Sequence, residues 1–272
     1  MAVKSPLINV MERAARKAGR GLVRDFGEVE QLQISQKGPG DFVSTADHKA
    51  DRVLREELAR VRPDFAMLTE ESGFHGDDDA MYRWVVDPLD GTTNFLHGIP
   101  HFAISIGVEG RSVIGGKLSS EIVAGVVYDP IHDLTYWAEK GAGAYLNDRR
   151  LRVSARRDLP MSVIASGLPT MDRTDADQHL RETRALMGRV AGLRRFGSAA
   201  LDMAWVAAGR YEAFWEVGLS PWDIAAGIVL VKEAGGYVSE LDGGDGMMAS
   251  GSMLASNGHI HSEIRSILNK AR

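Results

Sequence analysis

The stretch WVVDPLDGTTNF, residues 84–95, decides how the chain is read. An apolar run of strand character ends in two carboxylates three residues apart. A glycine and two threonines follow, and the chain returns at once to Phe95. Pro88 fixes its own φ and pushes Asp87 toward an extended conformation. Asp87 then continues the strand while the chain turns and carries Asp90 into the same space, with the Leu89 carbonyl between them as a third oxygen. Two carboxylates about 4 Å apart repel by roughly 4 kcal/mol at an effective dielectric of 20. A divalent cation turns that repulsion into attraction. With oxygen donors and neither Cys nor His in the motif, a hard ion such as Mg²⁺ is the natural partner. A helix starting at Gly91-Thr92-Thr93 would offer free N–H groups to a phosphate beside the ion, which points to metal-assisted phosphate chemistry. Taken alone, the motif reads better as an ordinary turn in which Asp90 caps a helix.

Three further acidic segments lie outward from the motif. FAMLTEESG, residues 65–73, is a short apolar strand that runs into Glu70 and Glu71. Neighbours on a strand point to opposite faces, so one of the two faces the Asp87 cluster. SPWDIAAG, residues 220–227, puts Asp223 in the first turn of a helix, where the dipole favours an acid in any case. STADHKAD, residues 44–51, places Asp47 where it could equally cap a helix. Each has an ordinary explanation alone; the four together call for a joint one.

The remaining periodicities read as α/β, helices and strands in succession. Helical spacing is expected over Leu7–Phe26 and from about Ala46 to Arg60, ending before Pro63. Between them Lys37-Gly-Pro-Gly-Asp41 reads as a mobile loop. YRWVVD and HFAISIGVE are strands, and EGRSVIGGKLSSE, residues 109–121, is a long hairpin tip. Successive antiparallel strands follow from Ile122, with turns at Asp129-Pro130 and Asn147-Asp148. The second half alternates strand and helix: SVIASGL, a helix over Asp177–Val190, another over Ser198–Gly209, the strand YEAFWEV, and a helix from Pro221 to Gly235-Gly236. Residues 145–160 mark a change of architecture within a single domain, 1–272, whose halves are about 1–150 and 151–272.

Composition narrows the function. The chain has 272 residues, 44% hydrophobic and 25% charged, enough for a large core. A net charge of −5 gives no bulk reason to bind nucleic acid. The cluster Arg149, Arg150, Arg152, Arg156 and Arg157 is interrupted by Leu151 and Val153 and reads as a turn and the solvated face of a strand. Absence of cysteine excludes disulfides and thiolate metal sites and fits a reducing compartment. The N-terminus lacks a signal-peptide block, and no apolar run approaches the ~18 residues of a membrane span. The expectation is a cytoplasmic protein. His97 and His101 flank the motif as weak substrate-contact candidates. Trp84, Trp205 and Trp215 sit in core patterns, and the GxG of EKGAGAY lacks the setting of a dinucleotide site.

In order along the chain, KGPGDFVSTAD, TEESG, WVVDPLDGTTNF, GSAALDMAWVAAGRYEAFWE and PWDIAAG…EAGG resemble the inositol monophosphatase family, within the Mg²⁺-dependent, lithium-sensitive phosphatases. The resemblance implies a layered α+β sandwich, an αβαβα sugar-phosphatase-like fold with the site between the halves, a homodimer, and hydrolysis of myo-inositol monophosphate by direct in-line attack of a metal-activated water. It implies two to three Mg²⁺ ions. Glu70, Asp87 and the Leu89 carbonyl would hold the first, Asp87, Asp90 and Asp223 the second, and Glu70 a weaker third. Gly91 and Thr92 would meet the phosphate. Thr92, Asp47 and Glu70 would handle the proton, while Asp90, the Ala199 backbone and Glu216 would contact sugar hydroxyls. Lys37 matches a lysine near the site, and Glu71 is left with a supporting role. Two departures stand out. The loop around Arg111–Glu121 is longer than usual, and Tyr211-Glu212 replaces a hydrophobic-Asp pair, which should disturb the strand before Glu216. Alternatives to inositol are histidinol phosphate, a nucleotide 3′-phosphate or a sugar bisphosphate. A regulatory or scaffold protein on this fold is the alternative of a different class.

Overall fold

A computed structural model describes residues 3–28, 34–38, 41–114, 117–168 and 175–272. Helix α1 (Pro6–Phe26) starts at Ser5, whose Oγ accepts the Ile8 N–H at 3.2 Å, with Pro6 in the first turn. Its buried stripe of Ile8, Met11, Ala14, Ala18 and Leu22 is the one its spacing predicts. The expected loop over residues 37–41 falls partly outside the described residues, and its described ends are strand. Lys37 and Gly38 lie in β1 (Ile34–Gly38), Asp41 lies in β2 (Asp41–Ser44), and residues 39–40 are outside the described residues. The Lys37 side chain lies outside the described residues.

Helix α2 (Thr45–Val61) leads into β3 (Ala66–Thr69), β4 (Gly73–His75), β5 (Tyr82–Asp90) and the five-residue α3 (Thr92–Leu96). Strands β6 (Ala103–Ile114), β7 (Lys117–Asp129), β8 (Leu134–Glu139), β9 (Gly143–Leu146) and β10 (Arg149–Arg150) then form an antiparallel meander. The eight-stranded sheet has the order β10-β9-β8-β7-β6-β5-β3-β4. The 109–121 segment is strand rather than loop: β6 and β7 stay paired out to Ile114–Lys117, leaving only residues 115–116 outside the described set.

The chain then builds a second sheet. Strand β11 (Val163–Ser166), α4 (Ala176–Leu186), β12 (Gly192–Arg194), α5 (Ala199–Ala207), β13 (Ala213–Glu216) and α6 (Pro221–Glu233) come first. They are followed by β14 (Tyr237–Ser239), α7 (Met247–Ser250), β15 (Met253–Ser256) and α8 (His261–Ala271). The sheet order is β12-β11-β13-β15-β14. Helices α5 and α6 are apolar nearly all round, the signature of a helix buried on every side, and they fill the layer between the sheets. Helices α1 and α2 cover the outer face of the first sheet, and α4 and α8 that of the second. The layers are therefore α, β, α, β, α. No helix among the described residues is long and apolar enough to cross a membrane.

Glu212 does not disturb β13. Its buried carboxylate takes the Val163 N–H at 2.6 Å and Arg156 Nη1 at 2.8 Å, while its carbonyl takes the Asn257 N–H at 2.9 Å. It ties the start of β13 to its neighbours. Arg156 is thus an ion-pair partner, whereas Arg149 and Arg150 are exposed on β10.

Candidate active site

A bulge explains how one strand presents two acids to one place. Strand β5 does not turn after Asp87 but continues, and against β6 Asp87 pairs with Ser105 while Asp90 pairs with Ala103. Three steps on β5 thus face two on β6. Residues i and i+3 of a regular strand point to opposite faces; the extra residue restores them to one side. Pro88, which has no N–H to donate to a ladder, occupies the irregular segment. Glu70 follows β3 directly. Its N–H donates to the Val86 carbonyl at 3.1 Å, next to Asp87 on the parallel neighbour.

Asp47 and Asp223 arrive from helix starts, and each combines the two explanations that the sequence allows. Asp47 is the third residue of α2, and its Oδ2 accepts the Ser44 N–H at 2.9 Å and Ser44 Oγ at 2.6 Å. Its Oδ1 accepts from Thr92 Oγ1 at 3.0 Å. Asp223 holds the same place in α6, with Oδ2 taking the Ser220 N–H at 2.7 Å. Helix α6 is positioned against β6 by a 3.2 Å bond from Ser105 Oγ to the Trp222 carbonyl. Capping fixes each carboxylate; the fold decides what it faces.

These acids share one electrostatic field. Burial pushes the Asp87 carboxyl well above the usual range, and the charges of Glu70, Asp90 and Asp223 push it further. Burial pushes Asp90 up to about 6, although Ser198 Oγ and the Ala200 N–H donate to its Oδ2. Asp47 is raised by burial in spite of its bonds from Ser44 and Thr92. Glu216, at the end of β13, is raised well by burial and by Asp223, Asp202 and Asp90. Among the described residues no group of three or more His, Cys, Asp or Glu side chains is arranged so that it could hold a metal ion. The donor set nevertheless suits a hard cation: carboxylate and carbonyl oxygens, no thiolate, and mutual repulsion that positive charge would relieve.

A cleft of about 220 Å³ opens beside these groups, lined by residues of both halves. Asp90, Gly91, Thr92, Ser198, Ala199, Glu216 and Asp223 are among its walls. Gly91 holds a left-handed conformation (φ 98°), and a Cβ there would meet the Gly197 and His101 carbonyls at 3.2 Å. Only glycine fits. The Glu216 carboxylate lies against Gly167, where a Cβ would fall 1.9 Å from Oε1.

The cleft also contains Arg195 and Asp202, which sequence reasoning did not single out. The one signal for Asp202 is a lone acid within the otherwise apolar AALDMAWVA of α5. Neither His97 nor His101 lines the cleft; His97 is exposed, and the His101 ring packs on Phe196 and Trp205. Trp84 and Trp215 are core, with Trp205 partly buried beside it. The GxG of EKGAGAY is a turn whose Gly141 and Gly143 N–H groups grip the Glu233 carboxylate at 2.9 and 2.8 Å. Glu71 has a buried carboxylate 3.7 Å from His48 Nδ1.

A model of the inositol monophosphatase family matches residues 3–272. An inositol-1-monophosphatase of Mesorhizobium japonicum is 54% identical over 93% of this chain and 92% of its own length. A protein of Pseudomonas aeruginosa named Nus factor SuhB is 42% identical over 93% of this chain and 92% of its own. Among solved structures, the extragenic suppressor protein suhB from Bartonella henselae superposes with a TM-score of 0.91 at 52% identity, covering 98% of this chain and 99% of that one.

Proposed function

The chain belongs to the inositol monophosphatase family, a phosphatase family, and on that premise we propose that it hydrolyses myo-inositol monophosphate to inositol and phosphate. The observation that carries this reading is the field at Asp87, where Glu70, Asp90 and Asp223 crowd a buried carboxyl beside a cleft of suitable size. Glu70, Asp87, the Leu89 carbonyl, Asp90 and Asp223 would hold two to three Mg²⁺ ions. Bound there, the ions would supply Lewis-acid neutralisation of the phosphoryl charge.

The chain's own groups supply the rest. Thr92 Oγ1 lies 3.0 Å from both Asp47 Oδ1 and the Leu89 carbonyl. It has one proton, so it can donate to only one of them well at a time. With that proton on Asp47, its lone pairs are open to a water on the cleft side. Burial raises Asp47, which suits it to take a proton through Thr92 at neutral pH. Gly91 and Thr92 would present backbone N–H groups to the phosphate at a place where a side chain would not fit. The alcohol portion would lie toward Asp90, the Ala199 backbone and Glu216. We read 1–272 as one domain working across its two halves, in a cytoplasmic setting. Sedimentation and Li⁺ inhibition would test the homodimer and the lithium sensitivity that accompany this reading.

Phosphate release from a panel of esters tests the substrate: myo-inositol 1-phosphate, histidinol phosphate, a nucleoside 3′-phosphate and fructose 1,6-bisphosphate, each with Mg²⁺. Preference for the inositol ester is the expected result; preference for another would move the function to that ester. The 42% identity to the protein named Nus factor SuhB favours a second reading, a regulatory or scaffold protein on this fold. That reading predicts no turnover with any member of the panel.

A further inference from the structure

Asp202 is the one ionisable side chain of α5, the helix buried between the two sheets. It is 2% exposed, and its Oδ1 has no hydrogen-bond partner among the described residues. Capping does not account for it. Ser198 Oγ takes the Leu201 N–H at 3.3 Å, the free Ala200 N–H goes to Asp90, and the Asp202 N–H makes an ordinary helical bond to the Ser198 carbonyl. Ion pairing does not account for it as it does for Glu182 and Glu212, which hold Arg272 and Arg156. Apolar packing would be served better by leucine or alanine. A buried polar atom left unpaired in a folded protein needs an explanation outside the fold's own bonding.

Its position supplies one. Asp202 lies one turn beyond Ser198 and Ala199 on the same face of α5 and lines the cleft with them, together with Asp90 and Glu216. Phosphate would sit at the Gly91–Thr92 end, so this wall faces the alcohol portion of the ester. We propose that Asp202 is a further specificity-determining residue, whose carboxyl group pairs with a hydroxyl of the polyol. Burial and the charge of Asp90 raise its pKa well above the ordinary range, against the opposing charge of Arg195. Protonated or ionised, a carboxyl group can pair with a hydroxyl. The competing use is structural: Tyr211 Oη is a second buried unpaired atom whose phenol feels the Asp202 charge, and the two could brace α5 against β13.

The inference rests on the phosphatase reading of the cleft, and two esters separate the two claims. Myo-inositol 1-phosphate carries the hydroxyls, whereas phenyl phosphate carries none. With Mg²⁺-loaded full-length protein, kcat/KM is measured for wild type, Asp202→Ala and Asp202→Asn, alongside thermal melts. The expected result is a loss of roughly 30-fold or more for the inositol ester in Asp202→Ala, with phenyl phosphate changed by less than about threefold. Asp202→Asn, which still offers a donor and an acceptor, should recover most of the loss. In singly deoxygenated inositol esters, removal of one particular hydroxyl should weaken wild type and leave Asp202→Ala indifferent. Equal losses on both esters, or a wild-type preference surviving in Asp202→Ala, overturn the proposal. Absence of wild-type turnover on both esters overturns the phosphatase reading and this inference with it.

Discussion

Buried acids occur in two arrangements in this protein. In the second sheet Glu182 holds Arg272 Nε at 3.0 Å, Gln178 Nε2 at 2.9 Å and the Trp215 indole N–H at 3.2 Å. Glu212 holds Arg156 and the Val163 N–H. Each is given donors by its surroundings and fixes neighbouring elements. Around the cleft, burial drives Asp87, Asp90, Glu216 and Asp202 toward the protonated form, and at Asp87, Glu216 and Asp202 the charges of neighbouring acids add to it. The first arrangement stabilises the fold. The second costs free energy in the protein alone and makes sense where a cation or substrate completes it. Proximity of acids therefore says little; what matters is whether the fold supplies the counter-charge.

The contrast is broken if substitutions in the two sets behave alike. The largest expected effect is at Asp90→Asn, which should lower phosphate release from myo-inositol 1-phosphate by at least ~10³ with the melting temperature held or raised. Glu212→Ala should do the reverse. It leaves the Val163 N–H and the half-exposed Arg156 without their partner, for a loss of about 2 kcal/mol in urea unfolding. Turnover per folded molecule should hold. Gly91→Ala combines a strained φ with contacts to two carbonyls, and a displacement of the motif by a fraction of an ångström should lower kcat on the order of 10².

The smallest effect lies far from the cleft. His261 is bonded on both ring nitrogens, to Ser239 Oγ at 2.9 Å and Ser256 Oγ at 2.8 Å, and burial lowers its pKa from 6.5 to about 4. Because the folded pKa lies below the unfolded one, the unfolded chain binds the proton first. The contribution is whole above about pH 6.5 and is lost as pH falls through 4. Urea midpoints at pH 7, 5.5 and 4.5 should therefore fall more steeply in wild type than in His261→Asn. Parallel curves would show that this histidine does not contribute.

Much of the architecture was legible because its elements carry their own periodicity. The stripe of α1, the meander from β7 to β9 and the all-apolar α6 could be read from spacing and turns. The elements not read, among them β4, β12, β14, β15, α7 and α8, are short or near the C-terminus, and their placement comes from the tertiary layer. The pairing of β1 with β2 was obscured by the glycines and proline of the intervening sequence, which read as a break in any strand. In the site, Asp87 and Asp90 were visible as a pair, but the bulge that aims them together was not. Asp47 and Asp223 each looked like helix caps, and each is one. Their second role depends on long-range packing that no local pattern encodes: Asp47 accepts from Thr92 on a distant segment, and Asp223 lines the cleft with Asp90. Asp202 left only the trace of an acid in an apolar helix.

The central claim is that the cleft acids are destabilising by themselves and become stabilising when a divalent cation joins them. Thermal unfolding of chelator-treated wild type and Asp87→Asn, each titrated with Mg²⁺, tests it most directly. Wild type should start lower and rise steadily with added Mg²⁺, whereas Asp87→Asn should start higher and respond little. A wild-type melting temperature indifferent to Mg²⁺, or an equal rise in both proteins, would contradict it.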